Sequence, residues 1–147
     1  MNKLSSEAKE FAIASRPLAQ KAKENNIDLG VAPTYLSLAA VKENASKDMI
    51  VSAQNCHFNE KGAFTGEISI PMLKEFGINW SLIGHSERRT YDNETDEKCN
   101  LKIKALIANN MIACYCVGET LAEFEAGQTK EVVGRQVRDG LDRKSVV

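Results

Sequence analysis

The stretch Leu82-Ile-Gly-His-Ser-Glu-Arg-Arg89 carries the decision about the fold. A short apolar run ends at Gly84, and one of only two histidines, His85, follows at once and leads into Ser86, Glu87, Arg88 and Arg89. An apolar run of strand length that empties into a charged, helix-starting turn is the signature of a buried strand followed by a helix. Working outward, residues 28–34 (DLGVAPT), 49–56 (MIVSAQNC), 79–85 (NWSLIGH) and 111–119 (MIACYCVGE) all have this character. Each predicts a buried strand.

Amphipathic stretches separate the strands. Cys99, Ile103, Leu106 and Ile107 fall at i, i+4, i+7 and i+8 and predict one apolar helical face. Ser69, Pro71 and Gly77 delimit a short helix with proline at its start and glycine past its end. Thr120 to Glu123 reads as a capping box, so a helix starts directly after the fourth strand. Residues 4–26 are helix-like, with Pro17 expected to kink or divide the helix. Strict alternation at roughly 25 to 30 residues per unit predicts parallel strands joined by right-handed helical crossovers. The fold class is α/β, either an open doubly wound sheet or part of a (β/α) barrel. No G-x-G-x-x-G and no phosphate-loop motif is present, which weakens the open-sheet cofactor reading.

Composition narrows the partners. The 147 residues are 43% hydrophobic and 27% charged, with 19 basic and 20 acidic side chains and a formal charge of -1. Such a mixture supports one domain, and the absence of a basic tract argues against nucleic acid. Apolar runs stay well short of the ~20 residues of a membrane span, and no signal-peptide pattern opens the chain, so the expected address is cytoplasmic. Cys56, Cys99, Cys114 and Cys116 are expected to be free thiols. The C-x-C pair lacks zinc spacing, and alternation would put both thiols on one strand face, so no metal is expected.

The motifs VAPT (31–34), AQN (53–55), GAFTGEIS (62–69), GHSERR (84–89) and CVGETLAEFEAG (116–127), in this order, resemble the triosephosphate isomerase family. The resemblance runs through nearly the whole chain and implies a partial (β/α)8 TIM barrel of about four parallel strands with surrounding helices. It implies residues 1–147 to be one incomplete barrel domain, helix 1 through helix 5 of the family fold. It further implies interconversion of dihydroxyacetone phosphate and glyceraldehyde 3-phosphate, in glycolysis and gluconeogenesis, without a cofactor, by a homodimer.

By resemblance, His85 is the neutral electrophile that polarises the substrate carbonyl, kept neutral by a helix N-terminus; a helix starting at Ser86 would aim its free amides at the imidazole. Read without the resemblance, His85 is a turn histidine bonded to backbone. Glu87 is expected as a supporting residue close to the family's catalytic lysine; otherwise it is a cap or a surface ion pair. Thr65 resembles the tip of the protruding loop that reaches a neighbouring subunit, and Asn55 a loop residue at the dimer interface. Cys116 resembles a buried cysteine behind the site.

Departures from the family pattern are equally specific. A complete member has about 250 residues and eight strand and helix units. The first-strand NWKMN, with its lysine, would precede Met1-Asn2, and the sixth strand, with the glutamate base and lid, would follow Arg143–Val147. Isomerisation needs a base, an oxyanion partner and a phosphate anchor together. The chain alone is therefore expected to be inactive, and the alternative is an inert or self-assembling half-barrel.

Overall fold

The computed structural model describes residues 2–142; Met1 and Arg143–Val147, where the family pattern is expected to break off, lie outside the described residues. Four strands, β1 (Leu29–Val31), β2 (Met49–Ala53), β3 (Trp80–Ile83) and β4 (Ile112–Tyr115), form one sheet in the order β1-β2-β3-β4, and every neighbouring pair is parallel. This is the α/β topology of a partial barrel, with the sheet left open. The strands are shorter than their apolar runs, because the trailing residues turn away into loops at the C-terminal ends. Pro33 has no amide to give a ladder, and Gly84 leaves the extended region at φ 73°.

The helices are α1 (Ser5–Ala14), α2 (Arg16–Glu24), α3 (Tyr35–Asn44), α4 (Ile70–Glu75), α5 (Ser86–Tyr91), α6 (Asp96–Ala108), α7 (Leu121–Glu125) and α8 (Thr129–Gly140). Pro17 sits in the first turn of α2, so the N-terminal helical segment is divided rather than bent. The Thr120 box forms as expected: its hydroxyl accepts from the Glu123 amide at 3.3 Å, and the Glu123 carboxylate accepts from the Thr120 amide at 2.8 Å. That pairing holds the Glu123 carboxyl below its usual pKa.

Register assigns the two faces of the sheet. Val31, Val51, Ala53, Ser81, Ile83, Ala113 and Tyr115 lie on the face covered by helices, where Leu38, Val41, Leu73, Ile103 and Leu106 complete the core. On α6, Cys99, Ile103 and Leu106 are buried as the spacing predicts, whereas Ile107 is 64% exposed. Its place in the seam is taken by Lys102, three residues after Cys99 and 5% exposed. The apolar stripe is thus narrower than expected and includes a charge.

Burial fixes the chemistry of two thiols. Burial, the largest cause in each case, pushes Cys56 and Cys99 up from 9.0 to about 11. The folded chain holds these protons more tightly than the unfolded chain, so the contribution is fully present below about pH 9 and is lost as pH rises to about 11. Each thiol should steepen the loss of stability across that window. Urea midpoints at about pH 8.5 and about pH 10.5 check this. Cys99→Ala should shrink the difference between the two, and an unchanged difference would refute the assignment.

The opposite face carries Ile50, Trp80, Leu82, Ile112 and Cys114, and it is the less covered one: Ile112 is 48% exposed and Cys114 is exposed. Cys114 therefore does not behave as a buried small hydrophobe, and Cys116, beyond the end of β4, is only half-buried. An apolar sheet face with open parallel edges favours association. The isolated chain should sediment as oligomers, and Ile112→Lys should shift it toward smaller species. A monodisperse parent monomer in light scattering would contradict this expectation.

Candidate active site

The C-terminal ends of β2, β3 and β4 bring the sequence-selected residues to one end of the sheet. His85 directly follows β3 and Gly84 and is the N-cap of α5. Its carbonyl accepts from the Arg88 and Arg89 amides at 2.9 and 3.1 Å, which ties the backbone into the first turn. The imidazole Nδ1 accepts from the Glu87 amide at 3.3 Å, so a free donor of the helix start is spent on the ring as the sequence led us to expect. An Nδ1 that accepts carries no proton, and the neutral ring then has its N–H on Nε2. The side chain is 44% exposed. The carboxylate of Glu87 lies 3.7 Å from Nδ1 and is 76% exposed, so Glu87 lies beside the histidine at the surface.

Gly84 is required by crowding as well as by its positive φ. A Cβ there would meet Tyr115 at 2.9 Å and both Arg89 Nη2 and Cys99 Sγ at 3.0 Å. Both of its backbone polar groups are held by side chains: the amide donates to Glu94 Oε2 at 3.2 Å, and the carbonyl accepts from Arg89 Nε at 2.8 Å.

Beneath this turn lies a buried ionic cluster. The Lys102 ammonium contacts Glu94 Oε1 and donates to Asn55 Oδ1 at 2.8 Å, with the Lys102 and Glu94 side chains 6% and 2% exposed. Arg88 Nε stands 3.6 Å from Glu94, and its Nη1 lies 3.4 Å from Asp92. Asn55, considered in the sequence as a residue of the dimer interface, is thus buried within this chain, and its side chain is engaged by Lys102. Its carbonyl also accepts from the Tyr35 hydroxyl, and burial, the main cause, raises that phenol above its usual pKa.

A second set of bonds surrounds Arg89. Its Nη1 donates to Asp96 at 2.6 Å, and its Nη2 donates to the Tyr115 hydroxyl at 3.1 Å and to the Cys116 carbonyl at 3.5 Å. Burial alone would lower the guanidinium pKa; the Asp96 and Tyr115 bonds outweigh it and raise the pKa. Tyr115 in turn donates to the Gln136 carbonyl at 2.9 Å, and burial pushes its phenol up to about 12.

Thr65 is exposed in the long loop between β2 and α4. That loop is closed at its base by the His57 amide donating to the Ile68 carbonyl at 2.8 Å, and it is stiffened where His57 stacks on Phe58 and Phe64 at 4.4 and 4.3 Å. The structure therefore places His85 and Glu87 together, joins Asn55 to their supports, and sets Thr65 on a separate projection. Sequence reasoning missed Glu94, Arg89 and Lys102 as a support. One signal was available, because Lys102 sits at i+3 from Cys99 inside an apolar stripe, where a lysine needs a buried acid.

The profile of the triosephosphate isomerase family matches residues 1–146. Among similar proteins, a triosephosphate isomerase of Geobacter metallireducens is 47% identical over 140 residues, 95% of this chain and 55% of that protein. One from Clostridium botulinum is 46% identical over 146 residues, covering 99% and 58% of the two chains. Another from Moorella thermoacetica is 46% identical over 142 residues, covering 96% and 56%. The chain thus spans little more than half the length of the curated relatives it matches.

Proposed function

The chain belongs to the triosephosphate isomerase family, and from that premise we propose that it carries the electrophilic half of a triose-phosphate isomerase site. The reaction is the cofactor-free interconversion of dihydroxyacetone phosphate and D-glyceraldehyde 3-phosphate, a step of glycolysis and gluconeogenesis placed in the cytoplasm. The observation that supports this most directly is the His85 ring, 44% exposed and with Nδ1 accepting from the Glu87 amide, which leaves Nε2 as the nitrogen that carries the N–H of the neutral ring. A neutral N–H aimed at a carbonyl stabilises the oxyanion that develops as the neighbouring carbon loses its proton.

The family motif that provides the base and lid, and the one that provides the lysine, have no counterpart in these 147 residues. Glu87 lies on the Nδ1 side of the ring and is 76% exposed, so we assign it a supporting role and not that of the base. Turnover accordingly requires further polypeptide that supplies lysine, base, lid and phosphate loops, with residues 1–147 acting as one incomplete barrel domain. Thr65, on its projecting loop, is assigned to contact with a second subunit of a homodimer. Asn55 contributes to that contact indirectly, by holding the root of the same loop.

A coupled isomerase assay tests the proposal. The chain alone should not exceed buffer, and mixing it with the polypeptide that completes the barrel should produce turnover. The open apolar face supports a second reading, a self-assembling half-barrel without catalysis. Stable association of the chain with itself, together with no turnover in any completed mixture, would favour that reading.

A further inference from the structure

Arg89 has no role in the chemistry proposed above, yet it makes more bonds than any other side chain around the candidate site. Through Nε it holds the Gly84 carbonyl, through Nη1 it is anchored on Asp96, and through Nη2 it reaches the Tyr115 hydroxyl and the Cys116 carbonyl. Its side chain is 18% exposed and that of Asp96 is 13% exposed, so these bonds are shielded from water. The Gly84 carbonyl belongs to the same peptide plane as the His85 amide nitrogen, and peptide planes are stiff. On the other side of Gly84, the amide is held by Glu94, itself fixed by Lys102.

We propose that Arg89 is a positioning residue for His85: clamping the Gly84 carbonyl fixes the peptide that enters His85, and so keeps the imidazole in the one placement where Nδ1 meets the Glu87 amide. The geometry explains why a planar five-donor fork is used here. Arginine presents its donors on three nitrogens held in one plane, Nε to Gly84, Nη1 to Asp96 and Nη2 to Tyr115 and Cys116, whereas lysine offers all three of its donors from a single nitrogen. It also links the ends of β3 and β4, because Tyr115 passes the contact on to the Gln136 carbonyl in α8. The proposal rests on the electrophile reading only for its functional meaning; the clamp itself is a statement about the tautomer and placement of one ring.

The test uses the whole 147-residue chain labelled with 15N-histidine, read by solid-state NMR on sedimented protein at about pH 8, where an ordinary imidazole is neutral. With only His57 and His85 present, each ring gives its own signals. Parent His85 should show a single neutral tautomer with unprotonated Nδ1. In Arg89→Lys that signal should lose half or more of its intensity to the other tautomer. In Asp96→Asn, which keeps Arg89 but weakens its anchor, the loss should go the same way and be smaller. His57 is the internal control, because its Nδ1 accepts from the Asn59 amide at 3.0 Å, in a separate loop. A purely structural role would leave His85 unchanged, or would broaden both rings together in both variants, and either outcome overturns the proposal. No turnover enters the measurement, so failure of the isomerase reading would appear in the coupled assay and not here.

Discussion

Replacing His85 with glutamine should lower turnover of the completed isomerase by about 10²- to 10³-fold, the usual consequence of losing one oxyanion donor. Glutamine can still present an N–H, but its amide cannot place that donor where Nε2 stands while also accepting from the Glu87 amide with the same rigid ring. The loss should fall on kcat with KM nearly unchanged, because the interaction strengthens only as charge develops on the carbonyl oxygen. Glu87→Gln, at an exposed position beside Nδ1, should cost far less. Steady-state kinetics of the parent and the two variants, each mixed with the same completing polypeptide, provide the comparison. Equal turnover for His85→Gln and parent would remove the histidine from the mechanism.

Glu94→Ala should destabilise the chain by about 3 to 5 kcal/mol, the typical result of stripping one partner from a buried ion pair. Lys102 would keep its bond to Asn55 but lose its buried counter-charge, and the Gly84 amide would lose its acceptor. Against a total domain stability of about 5 to 15 kcal/mol this is a large fraction, so a substantial unfolded population should appear in urea titrations well before the parent transition. The pair Glu94→Gln with Lys102→Met removes both charges and keeps an amide oxygen for Gly84. It should recover most of the loss, since the penalty lies in the unpaired charge and not in the absence of the pair. Arg88 keeps Asp92 at 3.4 Å from its Nη1 but loses the Glu94 charge 3.6 Å from its Nε, so the recovery should be incomplete. A Glu94→Ala chain within about 1 kcal/mol of the parent would show that water or rearrangement compensates the charge.

Several features of this fold are readable in the chain because they depend on neighbours within a turn or two. The strand and helix alternation, the division at Pro17, the Thr120 capping box and the histidine placed to cap α5 all follow from local periodicity and from which amides a helix start leaves free. The GHSERR and CVGETLAEFEAG motifs carry the family for the same reason: each is the turn that follows a strand together with the helix it starts. Local pattern could not decide which side chains meet beneath that turn. Lys102 is paired with a glutamate eight residues earlier and an asparagine forty-seven residues earlier, and Arg89 with a tyrosine twenty-six residues later. A buried charge requires a partner but its spacing does not name one, so only the packing of α6 against β3 and β4, which carries Lys102 to the loop after β2, selects Asn55 and Glu94. The same packing buries Lys102, leaves Ile107 in solvent and turns Asn55 inward, because burial is settled by what lies opposite a position in space, whereas periodicity specifies only the side of the helix on which it falls.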